Sequence, residues 1–203
     1  MVGPSPPPEP RTGVQQKQLL RDEMRKLRRE HVASLPESAS ALMFKRPPAA
    51  IAGLALEGSC VGLYHATQAE APTASYAKWF YENGRSLALP WFAARDAPMI
   101  FRAWSNPWEE ELEPGPFGIL QPAHASPEAT PDLVFVPLLA FTGRAERLGR
   151  GDGQYDRWLA GNPSAVPVGL AWDCQLVDDL PIEPHDRKLS AVVTPTRLFE
   201  GDR

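Results

Sequence analysis

The stretch DLVFVPLLAF, Asp132 to Phe141, decides the fold class, because it is a continuous apolar run of the kind that forms a β-strand. It is followed by RLGRGDGQYDR, Arg147 to Arg157, in which three glycines occupy every second position between arginines. A glycine-rich loop in this place lies just beyond the carboxyl end of a strand, where α/β proteins usually bind their ligands.

Working outward from this stretch, strands and helical segments alternate along the chain. A helix is predicted from Gln15, where Leu20, Met24, Leu27 and His31 fall at helical spacing. Further strands are predicted at Cys60–Ala66, Ser86–Leu89, Met99–Trp104, Leu133–Ala140, Val166–Trp172 and Ala191–Thr194, and further helices at Ser38–Lys45, Thr73–Asn83 and Tyr155–Ala160. Residues 53–58 are predicted to be a loop, and residues 105–130 irregular apart from FGILQP, Phe117 to Pro122. This alternation indicates βαβ units in an α/β fold with a central, mostly parallel sheet flanked by helices.

The composition predicts one globular domain, residues 14–203, preceded by a disordered proline-rich tail, residues 1–13. The formal net charge of -4 argues against a dedicated nucleic-acid-binding protein, whose domain is normally basic. Two cysteines make neither a disulfide framework nor a zinc cluster, which favours a cytoplasmic location. The sequence contains no apolar run of membrane-spanning length and no signal-peptide pattern at its start. We expect a monomer.

The arginine-glycine loop is the first candidate binding site. Glycine lets a ligand approach the backbone closely, and successive N–H groups can surround a phosphate. Arg147 and Arg150 add guanidinium groups suited to an anion. The alternative is a sharp strand-to-helix turn that binds nothing.

Three further groups of residues are candidates for the same chemistry. Lys17 and Arg21 stand one helical turn apart and can face one phosphate chain, although such runs are most often solvated faces. Glu70, in YHATQAEAPT, can accept hydrogen bonds from an amino-heterocycle or can simply favour a helix N-terminus. Asp156 and Asp186 can bind Mg²⁺ if their two loops meet in space.

Seven segments occur in a fixed order: KQLLR, YHATQAEAPT, GRSLALP, FGILQP, DLVFVPLLAF, RLGRGDGQYDR and GLAWDCQLVDDLPIEPHD. Together they resemble the 5-formyltetrahydrofolate cyclo-ligase family, also called methenyltetrahydrofolate synthetases, over roughly residues 17–194. The resemblance implies an α/β fold similar to the sugar-phosphate isomerase and CoA transferase group. It implies ATP- and Mg²⁺-dependent cyclisation of 5-formyltetrahydrofolate to 5,10-methenyltetrahydrofolate, with release of ADP and phosphate. In that reaction the formyl oxygen is phosphorylated to an imidate-like phosphate, which a neighbouring nitrogen of the folate then displaces.

The resemblance also implies roles for individual residues. The reduced folate, possibly polyglutamylated, is expected to contact His65 and Glu70, and the metal ligands are expected to be Asp156 and Asp186. Arg147, Arg150 and Tyr155 are the expected catalytic residues, and Gly149, Gly151, Gly153 and Gln154 are expected to border the folate as well as ATP. The expected ATP contacts are Lys17, Arg21, Arg147, Leu148, Gly149, Arg150, Gly151, Asp152, Gly153, Gln154 and Tyr155.

Two positions depart from the family pattern. Gln154 stands where a second aromatic residue is usual, and Asp152 stands where a small or basic residue is common. A lost stacking surface would weaken folate binding by about 1 kcal/mol. Two other functions therefore stay open: a non-catalytic relative that binds folate or nucleotide, and a sugar-phosphate or CoA-ester enzyme on a similar fold.

Overall fold

The computed structural model describes residues 13–36, 43–108 and 112–201. The first long element is helix α1, Gly13–Ser34, which buries Lys17, Met24 and Arg28 on one side. Within the described ranges the other helices are α2 (Ala49–Ala52), α3 (Ala74–Glu82) and α4 (Gln154–Gly161), with a 3₁₀ turn at Asp173–Gln175. The strands are β1 (Cys60–Gly62), β2 (Ser86–Trp91), β3 (Ile100–Ala103), β4 (Glu113–Pro114), β5 (Leu120–Gln121), β6 (Glu128–Ala129), β7 (Leu133–Pro137), β8 (Ala140–Phe141), β9 (Arg147–Leu148), β10 (Val166–Leu170), β11 (Ala191–Val193) and β12 (Leu198–Glu200).

Eight strands form one sheet in the order β12-β11-β10-β7-β1-β2-β3-β6. The five central strands, from β11 to β2, pair in parallel. The three remaining strands, β12, β3 and β6, pair antiparallel at the edges. The predicted mostly parallel α/β sheet is therefore confirmed.

Strand β7 lies in the interior of this sheet, and this position explains why its sequence is apolar throughout. Leu133 and Phe135 belong to the core cluster on one face, while Val134 and Val136 belong to the cluster on the other. All four side chains are fully buried. A strand covered by helices on both faces has no polar face, so its sequence does not alternate.

The apolar run does not form a single strand, and the predicted strand Leu133–Ala140 is wrong in this respect. Strand β7 ends at Pro137, and the chain resumes as β8 in a separate two-stranded ribbon with β9. The intervening carbonyls accept side-chain hydrogen bonds, since Gln175 Nε2 donates to the oxygens of Leu138 (2.8 Å) and Leu139 (3.0 Å). The β8–β9 hairpin then delivers the glycine loop to the carboxyl edge of the sheet.

Other boundaries also differ from the predictions. Most of the predicted tail, and residues 38–42 of the predicted helix Ser38–Lys45, lie outside the described residues. Gly13 is the first residue of α1, and residues 43–45 form a turn, with the short helix α2 following instead. Strands β4 and β6 lie in the segment that was predicted to be irregular, β5 lies in the excepted FGILQP, and β12 was missed. None of the described helices is long and apolar enough to cross a membrane.

Candidate active site

The arginine-glycine loop joins β9 to α4 at the carboxyl edge of the sheet. Gly151 has φ +126° and Gly153 has φ +61°, conformations that side-chain-bearing residues adopt at a cost. Gly153 is the residue that precedes the first turn of α4. The turn therefore requires two of its glycines, and Gly149 has no such constraint, since a Cβ there would meet nothing within 4 Å.

Helix α1 holds the loop through its basic side chains. Arg21 Nε donates to the carbonyl oxygen of Gly149 at 3.1 Å, and Arg25 Nη2 donates to that of Arg150, also at 3.1 Å. The spacing of these arginines along α1 places both on the side facing the loop. The face of α1 that the sequence left ambiguous therefore packs against the glycine loop and is not fully solvated.

Lys17, one turn earlier on α1, is buried between two acidic side chains of the segment after β10. Its Nζ donates to a carboxylate oxygen of Glu183 and, at 2.7 Å, to Asp186 Oδ2. Burial alone would lower the pKa of Lys17, but these two carboxylates raise it above its ordinary value. Burial alone would raise the pKa of Asp186, and the hydrogen bonds from Lys17 and from the Glu183 N–H lower it instead.

Asp156, in the first turn of α4, connects the glycine loop to that acidic segment. Arg147 Nη2 donates to Asp156 Oδ1 at 2.7 Å, and the Arg187 N–H donates to the same oxygen at 3.0 Å. Arg147 also donates to the Arg187 carbonyl, and its side chain is only 3% exposed. The two loops that carry Asp156 and Asp186 therefore do meet.

The acidic groups could hold a metal ion, although not with the grouping that the sequence suggested. The side chains of Glu183, His185 and Asp186 place ligand atoms within 4.8 Å of one another, and Asp156 is not part of this group. Carboxylate oxygens are the ligands that Mg²⁺ prefers. Lys17 contacts two of the three residues, so a metal here would compete with its ammonium group.

An apolar pocket opens on the other side of the glycine loop. Its walls include Tyr64, Phe92, Phe117, Ile119 and Tyr155. Burial raises the pKa of the Tyr155 phenol, which therefore stays protonated at neutral pH and can donate a hydrogen bond. A flat apolar ring system of moderate size suits walls of this kind.

Glu70 is the acidic group of this pocket, and its side chain is 3% exposed. Oε2 accepts hydrogen bonds from the N–H and the hydroxyl of Thr67, both at 2.9 Å, while Oε1 accepts one from Arg150. His65, the other predicted folate contact, also lines the pocket. Burial lowers the pKa of His65, with Glu70 opposing the shift, which favours the neutral imidazole.

The predicted site residues divide between two clefts. The apolar pocket is lined by His65, Glu70, Arg150, Asp152, Gln154 and Tyr155, together with residues shared by both. A second cleft, here called the α1 cleft, is lined by Lys17, Arg21, Leu148, Gly151 and Asp186. Both clefts are lined by Arg147, Gly149, Gly153 and Asp156.

Gln154 makes contacts that the sequence did not indicate. Its Oε1 accepts a hydrogen bond from the Met99 N–H at 3.2 Å, and its Nε2 donates to the Ala97 carbonyl at 3.3 Å. The side chain thus ties α4 to the segment before β3. Asp152 is exposed at the tip of the loop.

Four residues at or beside the apolar pocket were not predicted from the sequence: Arg28, Phe92, Phe117 and Ile119. Phe117 and Ile119 belong to FGILQP, which stood out from its irregular surroundings and could have been assigned to the site on that ground. Nothing in the sequence distinguished Phe92 from a core residue. Nothing in the sequence distinguished Arg28 from the other basic residues of α1.

Comparisons with known proteins show which family the chain resembles. A family model described as the 5-formyltetrahydrofolate cyclo-ligase family matches residues 13–195. The chain is 30% identical over 188 residues to the 5-formyltetrahydrofolate cyclo-ligase of Escherichia coli K12, covering 90% of this chain and 100% of that protein. It is 32% identical over 157 residues to the Mycolicibacterium smegmatis enzyme of the same name, covering 72% and 79%. The NMR structure of Aquifex aeolicus 5,10-methenyltetrahydrofolate synthetase superposes with a TM-score of 0.68 at 25% identity, covering 91% and 92%.

Proposed function

The chain belongs to the 5-formyltetrahydrofolate cyclo-ligase family, and from this premise we propose that it converts 5-formyltetrahydrofolate to 5,10-methenyltetrahydrofolate with ATP and Mg²⁺. The products of the nucleotide are ADP and phosphate. The reaction joins a formyl carbon to a neighbouring nitrogen of the same folate. The folate therefore both accepts the phosphoryl group and forms the new ring.

One observation carries the proposal: a single glycine loop forms the common wall of a polar cleft and an apolar pocket. Arg147, Gly149, Gly153 and Asp156 line both. A ligase of this kind must bring a phosphate chain and a flat heterocycle to within bonding distance. A sugar-phosphate enzyme has no need of an apolar pocket that contains a buried carboxylate, and a pure binding protein has no need of both clefts.

The residues of the α1 cleft fit MgATP. Gly149 leaves its backbone open to a ligand, and Lys17 and Arg21 present cations from α1. Asp186 and Glu183 are oxygen ligands suited to Mg²⁺, while Asp156 lies on the facing loop, where it accepts hydrogen bonds from Arg147 and the Arg187 N–H. When bound, MgATP supplies the phosphoryl group that turns the formyl oxygen into a leaving group. The loop arginines neutralise charge on the oxygens being transferred, which is most of what such a reaction needs.

The apolar pocket fits the reduced pterin ring and its substituents. Glu70, with Oε2 held by Thr67, presents Oε1 to the ring's N–H groups. The protonated phenol of Tyr155 can donate to the formyl oxygen or to the phosphate that forms on it. Apolar walls exclude water from the activated carbon, so that the folate nitrogen attacks it and phosphate is expelled.

The test is the near-ultraviolet absorbance of 5-formyltetrahydrofolate mixed with the purified protein and MgATP. We expect absorbance to rise at longer wavelength as the methenyl product forms, and only when both ATP and Mg²⁺ are present. Asp156→Ala is expected to remove this signal. Turnover without ATP would refute the proposal, as would folded protein that binds ATP and 5-formyltetrahydrofolate but forms no product.

We also propose that the enzyme acts as a monomer in the cytoplasm. Cys60 and Cys174 are both free, which suits a reducing compartment. Sedimentation or size-exclusion chromatography with light scattering tests the oligomeric state, and a stable dimer of about twice the mass of 22.3 kDa would contradict it.

A further inference from the structure

Arg28 is a buried cation of α1 that lies beside Glu70, and it has no part in the function proposed above. Its side chain, on the third turn beyond Lys17, is only 8% exposed. Nη1 donates to the Leu138 carbonyl at 3.2 Å and lies 3.9 Å from Glu70 Oε1. Its Nε has no hydrogen-bond partner among the described residues. A buried guanidinium with an unused donor is costly, which indicates that its charge has a use.

Glu70 has two cations beside the same oxygen. Arg150 donates directly to Oε1 from the glycine loop, where its side chain is 38% exposed. Arg28 approaches Oε1 from α1 and is anchored by the Leu138 carbonyl. Burial lowers the pKa of Arg28, the nearby Glu70 raises it and Arg150 lowers it, so the two arginines oppose each other electrostatically.

The two cations differ in their freedom to move. Arg25 holds the backbone carbonyl of Arg150, but the Arg150 side chain is 38% exposed and can leave Glu70 without moving the loop. Oε1 is the oxygen left for the N–H groups of a substrate, because Oε2 already accepts two hydrogen bonds from Thr67, and Arg150 competes with the substrate for that oxygen. Once Arg150 leaves, a carboxylate that is 3% exposed would be unpaired unless another cation stays beside it.

We propose that Arg28 is a positioning residue that stays beside Glu70 as its permanent counter-ion, so that Arg150 can give up the carboxylate to the N–H groups of the incoming folate ring. The inference rests on the proposed function, because it takes Glu70 to be the folate acceptor. Arg28 acts through Glu70 and does not touch the reacting atoms. Its contribution is to the binding of the formyl substrate and not to that of ATP.

The test is steady-state kinetics of four variants in the absorbance assay: Arg28→Gln, Arg28→Lys, Glu70→Gln and the double variant Arg28→Gln/Glu70→Gln. We expect Arg28→Gln to raise KM for 5-formyltetrahydrofolate about 10-fold, with KM for ATP changed less than about twofold. Arg28→Lys keeps the charge and is expected to recover most of the loss. In the Glu70→Gln background, Arg28→Gln should have almost no further effect, because no carboxylate remains to be balanced.

Arg29→Gln is the matched control, since Arg29 is the exposed neighbour on the same helix and lines the same surface groove as Arg28 without contacting Glu70. It should leave both KM values unchanged. The inference fails if Arg28→Gln raises both KM values equally, or if its effect is undiminished in the Glu70→Gln background. If Arg28→Gln does not fold, the Lys variant with and without Glu70→Gln decides by the same comparison. An inactive wild-type protein would instead remove the proposed function, and this inference with it.

Discussion

Replacing Asp156 by alanine leaves the guanidinium of Arg147 buried without its carboxylate, and this perturbation tests how the two clefts are held together. The Arg147 side chain is 3% exposed, whereas that of Asp156 is 19% exposed. After Asp156→Ala, Arg147 keeps one acceptor, the Arg187 carbonyl. After Arg147→Met, Asp156 keeps the Arg187 N–H as a donor and can also reach water. The two single variants therefore leave behind unpaired charges that differ in burial: a fully buried guanidinium in one and a partly exposed carboxylate in the other.

The magnitudes follow from this difference in burial. Removing one partner of a buried ion pair costs about 3–5 kcal/mol, and the penalty is the uncompensated charge that remains. We expect Asp156→Ala to lower the free energy of unfolding by about 3 kcal/mol, near the lower end because one acceptor survives. Arg147→Met should cost about 1.5 kcal/mol, since the carboxylate left behind is partly hydrated. The double variant should lose less than the sum, because neither charge remains.

Urea unfolding at pH 7, followed by tryptophan fluorescence, measures all four proteins of this cycle. A coupling of at least about 1 kcal/mol between the two substitutions is expected for a directly bonded pair. The reasoning is refuted if the two losses add within about 0.5 kcal/mol, or if Arg147→Met is the more destabilising variant. The Arg29→Gln variant, altered at an exposed position, is the stability control and should change little.

Three further predictions concern the site. Lys17 lowers the pKa of Asp186, so the pair stabilises the fold above about pH 4 and this contribution is lost as pH falls. The free energy of unfolding of Lys17→Met should therefore decline less steeply than that of wild type between about pH 5 and 3. Parallel curves for the two proteins would contradict this. Gly151→Ala should lower the free energy of unfolding by about 1–2 kcal/mol, because Gly151 has a positive φ. Gly149→Ala should lower it by less than about 0.5 kcal/mol. Equal losses in the two variants would exclude backbone strain at Gly151. Gln154→Glu is isosteric and sets a carboxylate oxygen against the Ala97 carbonyl that Gln154 now binds. It should raise KM for 5-formyltetrahydrofolate about 10-fold and leave KM for ATP unchanged. An unaltered KM for the folate would show that this hydrogen bond does not shape the pocket.

The central part of the fold could be predicted because its signals are local. A run such as Leu133–Pro137 is apolar at every position only if both faces of the strand are covered, which already implies a parallel sheet between helices. The end of that strand could not be predicted, because the residues after Pro137 are equally apolar. What ends it is the set of side chains from α1 and from the 3₁₀ turn that bind the next carbonyls.

The candidate site was predictable where residue type and order carry the chemistry. Lys17, Arg21, the glycine loop and Asp186 were identified in sequence, and the fold places them around one cleft. Gln154 was interpreted as a substrate contact, but its amide groups bind backbone atoms more than 50 positions away, at separations of 55 and 57 residues. No local pattern records such a partner.

By itself, the sequence determined that this protein has a parallel sheet with a glycine loop at its carboxyl edge, because periodicity and glycine placement depend on near neighbours. Only the tertiary structure decided which charges share a site. Glu70 and Arg150 are 80 positions apart, and Lys17 and Asp186 are 169 apart. Folding buries such side chains and pairs them with partners that are remote in sequence. The energy of a charge depends on this burial and pairing far more than on the residues next to it in the sequence.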